Sequence, residues 1–337
     1  MFLFDKFKKK RALCVYFRSI NGRLIKTNES WEEPKMIELI VSDMDGTLLN
    51  EKMKVSETNA TAIKAAMKQG IHFMVATGRG FTEAHPLLEE VGINCSFITL
   101  NGAQVYNEEG KVIQNIGIDK KTVHEIVAEI KKRNLYCEMT TSNGIYSDNK
   151  AKRIESVASL LYETNPDTTY KMAVVLAAAR LEIMNINYVE DYEQLVHDDS
   201  IEILKVIAFS DEGRKVLGPL TEDLEKSGNL AVTASFVNNI EINNINAQKG
   251  IALEEAAKKL NIPLENIMTL GDNFNDVSML KVAGYSFAME NAEEEVKTYA
   301  KYRTTSNNSN GVAHAITLAL NDNLESAKAP SIMENVE

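Results

Sequence analysis

The sequence predicts an α/β fold, a doubly wound parallel sheet interrupted by an inserted α+β block. Three observations carry that expectation. Short, nearly continuous apolar runs alternate with helical stretches, as in strands buried on both faces. Four of these runs end on a polar residue: Asp43, Thr77, Asn101 and Asp272. Residues 118–240 follow a different rhythm, yet runs with polar ends lie on both sides of them, which marks an insertion.

The elements follow in order. Residues 37–41 form the first apolar run, closed by Ser42-Asp43. A helix is expected over 56–69. The Ser56 hydroxyl suits an N-cap, Gly70 terminates, and Ala62, Ile63, Ala66 and Met67 share one face. Residues 71–76 make the next strand, ending at Thr77-Gly78-Arg79, and 97–100 the third, ending at Asn101-Gly102. The inserted block opens with a helix over 120–133 and a hairpin, 135–140 with 144–147, turned at Ser142-Asn143-Gly144. It closes with strands near 204–209, 230–235 and 240–243. Lys249 begins a helix that ends at Leu260. The run 267–270 then ends at Gly271-Asp272, and 285–288 follows one helix later. A Rossmann-like core is thus expected over 36–117 and 241–320, with ligands bound beyond the carboxyl ends of its strands.

The 337 residues hold 37 Lys/Arg and 48 Asp/Glu, a formal net charge of −11. Such a chain repels nucleic acid, so no nucleic-acid partner is expected. An anionic small molecule would need local cationic help. Apolar runs such as residues 172–179 fall well short of the ~20 residues of a membrane-spanning helix, so no transmembrane segment is expected. Cys14, Cys95 and Cys137 are odd in number and lack CxxC spacing. They suit buried thiols in a reducing, cytoplasmic compartment. Residues 1–35 stand apart, with nine Lys/Arg against four Asp/Glu. They are expected to be a disordered basic leader, a patch on anionic membrane being the alternative, and 321–337 a flexible tail.

The segment Asp43-Met44-Asp45-Gly46-Thr47 sets two carboxylates two residues apart after a buried strand. Neighbouring anions push one another toward protonation unless a cation holds them. An oxygen-preferring ion such as Mg²⁺ is the natural remedy. Alone, the segment reads equally as a loop with two solvated acids and a turn glycine. Gly271-Asp272-Asn273-Phe274-Asn275-Asp276 adds two acids at another strand end, where alone they also suit a helix start. Lys249 sits at a helix N-terminus against the macrodipole, which suggests an anion to be held. Thr77 and Gly78 offer a hydroxyl and an amide to the same kind of ligand. Together these pieces suit phosphoryl transfer, which depends on positioning and electrostatic stabilisation.

Asp43-Met44-Asp45-Gly46-Thr47, Thr77-Gly78-Arg79, Lys249-Gly250 and the Gly271 to Asp276 segment resemble, in order, the four signature motifs of the haloacid dehalogenase superfamily. Asn101-Gly102-Ala103, Ala288-Met289-Glu290-Asn291-Ala292 and Asn310-Gly311-Val312-Ala313 resemble its Cof-type phosphatases. The resemblance spans residues 36–320. It implies a Mg²⁺-dependent phosphatase acting on a small phosphorylated metabolite: a sugar phosphate, or a flavin-pathway or pyridoxal-type phosphate. It implies Asp43 as nucleophile and metal ligand, Asp45 as acid/base with its carbonyl on the metal, and Asp272 as third ligand, supported by Asp276. Met44 through its N–H, Thr77, Gly78, Lys249 and Asn275 would contact phosphate. The inserted block would be the family's cap, with specificity residues expected around 138–143. Asn101 reads as a turn residue that could also face the leaving group. A phosphomutase and a non-catalytic phosphate sensor are the alternatives.

Overall fold

The strand Leu39–Ser42 is buried along its whole length, as its apolar run requires, and lies inside an eight-stranded sheet. The computed structural model describes residues 16–20, 23–27, 37–165, 167–183, 186–234, 237–321 and 323–329. The expected leader lies outside them apart from two strands, Tyr16–Ile20 and Arg23–Thr27, which pair antiparallel in a unit of their own. The expected tail lies outside them from residue 330 onward; before that it is not loose, since Leu324–Ala327 forms a helical turn with Ala327 buried in the core.

The large sheet runs Tyr302–Arg303, Tyr285–Ala288, Ile267–Gly271, Leu39–Ser42, His72–Ala76, Ser96–Thr99, Gln104–Tyr106, Val112–Asn115. Its first six strands are parallel. The last two are antiparallel and were not expected. Gln104–Tyr106 has three residues and Val112–Asn115 is largely exposed, so neither reads as a buried strand. Alternation divides the core in two, as a doubly wound sheet demands. Ile40, Phe73, Val75, Phe97 and Leu270 pack on Ile63, Leu88, Val312 and Ile316. Leu39, Val41, Met74, Ala76 and Ile98 pack on Leu253, Ala256 and Ala257. The helix Glu57–Lys68 starts where expected, with the Ser56 hydroxyl accepting from the Asn59 N–H at 3.1 Å.

The inserted sheet has six strands: Ile186–Tyr188, Gly144–Ser147, Tyr136–Thr141, Ile203–Phe209, Asn239–Asn244, Leu230–Thr233. One face, with Met139, Val206, Ala208, Ile240 and Ile242, packs on the helices Lys120–Lys132 and Arg214–Glu225. The opposite face sets Glu138, Ile207 and Glu241 in one row. Because Asn239–Asn244 pairs within this sheet, the insertion runs past residue 240, where its end was expected. Chain entry and exit are tied together: the Asn244 side-chain amide donates to the Gly117 carbonyl at 2.8 Å. Leu100, Ala103, Leu204 and Ala247 form a small apolar joint between the two sheets. The helices Lys150–Thr164 and Tyr170–Ile183, for which the sequence suggests an α/β stretch without bounds, pack through Ala158, Ala173 and Ala177. No helix among the described residues is long and apolar enough to cross a membrane.

Candidate active site

Register brings the polar strand ends together. Leu270 pairs with Ser42, Ser42 with Val75, and Val75 with Phe97. Asp272, Asp43, Thr77 and Asn101 therefore share one edge of the sheet.

Asp43 is buried, and its N–H donates to the Leu270 carbonyl at 2.9 Å. The helix Lys249–Leu260 delivers a fully buried lysine to it: Lys249 Nζ lies 2.6 Å from Asp43 Oδ1 and 2.7 Å from Asp276 Oδ1. The other oxygen of Asp276 accepts from the backbone N–H groups of Asp272 and Asn273 at 2.9 and 3.0 Å. Thr47 Oγ1 donates to Asp272 Oδ1 at 2.7 Å. Gly46 has φ +79°, and a Cβ there would collide with the Asp272 carboxylate, so glycine is what lets the two loops close.

Three carboxylates thus face one ammonium. Burial, then the charge of Asp276, holds the Asp43 carboxyl well above the usual range, against the pull of Lys249. Burial and Asp276 push Asp272 up to about 7. Burial alone would lower the Lys249 ammonium, but Asp276 and Asp43 hold it above its ordinary value. Oxygen atoms of Asp43, Asp272 and Asp276 lie within 4.8 Å of one another. Such an under-neutralised, all-oxygen cluster fits Mg²⁺. Both oxygens of Asp276 are already engaged, which leaves Asp43 and Asp272 as the side chains free to ligate and Asp276 as their buttress.

Thr77 is fully buried, and its hydroxyl accepts from the Arg79 N–H at 3.1 Å. Met44 is also fully buried, directly after Asp43. Asp45 stands away from the carboxylate cluster: Arg79 grips both its oxygens, Nε at 2.7 Å and Nη2 at 2.5 Å. Asn101, expected to be chiefly a turn residue, is both turn and contact. Its φ is +58°, and its side chain bridges Glu241 and Asn275 at 2.7 and 3.1 Å. Thr47, Arg79 and Asn291, whose amide donates to the Gly46 carbonyl, lie inside segments already singled out. Glu241 and Lys205 of the inserted sheet were missed. The signal for Glu241 is an acid between two isoleucines in a buried strand. Of the segment 138–143, Glu138 is buried and paired with Arg153.

In chelator, the melting temperature should fall as pH rises from about 4 toward about 7, the window set by an unfolded and a raised native carboxyl. A carboxyl whose native value is raised stabilises the fold only while protonated, and that contribution is lost as pH climbs through the native value. Added Mg²⁺ should restore the loss, most above about pH 7 and least near about pH 5, because protons compete for the same oxygens. Thermal melts with EDTA or Mg²⁺ across that range check this; a Mg²⁺ gain independent of pH would contradict it.

Known proteins resemble the chain over most of its length. A family model described as haloacid dehalogenase-like hydrolase matches residues 40–316. Phosphatase YwpJ of Bacillus subtilis is 33% identical over 280 residues, 82% of this chain and 98% of its own. The same organism's 5-amino-6-(5-phospho-D-ribitylamino)uracil phosphatase YwtE is 32% identical over 279 residues, 82% and 96% of the two chains. A solved haloacid dehalogenase-like hydrolase from B. subtilis superposes with a TM-score of 0.73 at 32% identity, covering 83% of this chain and 99% of that one. With its motifs gathered at one sheet edge and 82% of its length matched by nearly the whole of a named phosphatase, the chain belongs to the haloacid dehalogenase-like hydrolases, in their Cof-type phosphatase group.

Proposed function

We propose that the chain hydrolyses a small phosphate monoester through an aspartyl-phosphate on Asp43. The observation that carries this reading is the buried Asp43 with Lys249 Nζ 2.6 Å away, beside Asp272 and Asp276. The Asp43 and Asp272 side chains, with the Asp45 carbonyl, would hold Mg²⁺. Bound there, the ion would offset the charge that Asp43 and a phosphate bring together. One Asp43 oxygen attacks phosphorus as the ester P–O bond breaks, and Asp45 gives a proton to the departing oxygen. Asp45 then takes a proton from water as that water displaces Asp43 from phosphorus, releasing phosphate and restoring both side chains. To do so, Asp45 must leave the grip of Arg79. Lys249, the Thr77 hydroxyl, the Met44 and Gly78 N–H groups and the Asn275 amide would hold the phosphoryl oxygens.

The substrate is proposed to be a cytoplasmic sugar or polyol phosphate, or a flavin-pathway or pyridoxal-type phosphate. One feature supports a hydroxyl-rich leaving group, the name of the relative YwtE. The test is p-nitrophenyl phosphate hydrolysis with Mg²⁺ and its loss with EDTA, followed by rapid-quench trapping with Asp45→Asn. That variant should slow breakdown of the phosphoenzyme by about 10²–10⁴-fold. Breakdown at the wild-type rate would remove the water-activating role from Asp45. An isomerised ester without free phosphate would mark a phosphomutase instead.

A further inference from the structure

We infer that Glu241 is a positioning residue: it fixes which way the Asn101 and Asn275 amides face, and so aims the Asn275 amino group at the phosphate pocket. This rests on the functional reading above, in which Asn275 binds phosphate.

A side-chain amide is nearly symmetric in shape, so only its partners decide which end is oxygen and which is nitrogen. Here one end of the chain is unambiguous. A carboxylate only accepts, so the group 2.7 Å from Glu241 Oε2 is the Asn101 amino group. The Asn101 oxygen must then face Asn275 and accept from its Nδ2 at 3.1 Å. Turning either amide over would set two acceptors, or two donors, against each other in a buried place, which is costly. Asn275 Nδ2 spends one hydrogen on Asn101 and keeps the other for a phosphoryl oxygen. Its oxygen is buried and has no partner among the described residues, so nothing at the far end of the relay competes with Glu241 in setting the direction.

Glu241 belongs to the inserted sheet, whereas Asn101 and Asn275 belong to the large one. Lys205, also from the inserted sheet, lies 3.4 Å from Glu241 Oε2 and donates to the Gly78 carbonyl at 3.0 Å. It supplies the counter-charge and binds the same loop. Packing there is tight: a Cβ on Gly78 would stand 3.1 Å from Asn101 Oδ1 and 3.6 Å from Glu241 Oε2. The amide polarity of the phosphate pocket is therefore set only with the cap seated.

The test compares wild type, Glu241→Gln, Asn101→Asp and the double variant, by p-nitrophenyl phosphate kinetics and by the inhibition constant of inorganic phosphate with Mg²⁺. Glutamine keeps the shape but can present either end, so Glu241→Gln should raise both KM and that constant about tenfold, and melting temperature should fall as Lys205 loses its counter-charge. Asn101→Asp alone sets two carboxylates face to face and should do at least as much. Glu241→Gln with Asn101→Asp reverses one hydrogen bond and again presents an acceptor to Asn275, so phosphate affinity should return. A phosphate constant unchanged in Glu241→Gln overturns the inference, and that single variant suffices should the double one not fold. A folded double variant no better than Glu241→Gln also overturns it. Wild-type protein that neither hydrolyses the ester nor binds phosphate overturns the functional reading, and this inference with it.

Discussion

Asp43→Asn should lower turnover by about 10⁴-fold or more, because in the proposed mechanism Asp43 alone supplies the attacking oxygen. The same change should leave the chelated protein as stable as wild type, or more so. Asn keeps an oxygen for the Lys249 ammonium, 2.6 Å away, and removes one of three mutually repelling acids. Wild-type Asp43 ionises only against burial and the charges of Asp276 and Asp272. A native value raised in this way means that the charged form costs the fold stability, so a neutral isostere relieves it. Turnover on p-nitrophenyl phosphate and melting temperature in EDTA check both halves. Retained turnover would remove Asp43 as nucleophile. A collapsed melting temperature would show that its charge is needed to hold Lys249.

Lys249→Ala should cost about 3–5 kcal/mol of stability. Lys249 is fully buried and bonded to two carboxylates that are themselves buried. Deleting the ammonium leaves the buried carboxylates of Asp43 and Asp276 without their cation, beside Asp272. Urea unfolding at neutral pH measures the loss. Moving toward about pH 5 should recover part of it, since the stranded carboxyls can then take up protons. A loss under about 1 kcal/mol, the range of exposed pairs, would mean that water screens the pair in solution.

Four of the six parallel strands of the large sheet, and the edge they share, were legible in the sequence because each is a largely buried apolar run with a polar residue at its end. The two-residue strand Tyr302–Arg303 was not. Leu39–Ser42 and Asp43, or Ile267–Gly271 and Asp272, need only local pattern to be recognised. The antiparallel edge was not legible: Gln104–Tyr106 is too short and Val112–Asn115 too exposed to carry a period. The helix Tyr170–Ile183 has apolar residues on every side and so offered no face to read. Distance along the chain hid the rest. Glu241 meets Asn101 across 140 positions, and Lys205 meets Gly78 across 127. Nothing in either neighbourhood announces the other. Asp45 lies in the most readable motif, yet its hold by Arg79 depends on how two loops meet.

The Asn244 to Gly117 hydrogen bond puts both crossings between the two sheets side by side. Everything between them could be exchanged for a graft of different size with one pair of splices. No strand of the phosphoryl-transfer scaffold would change neighbours, which makes the insertion a replaceable module.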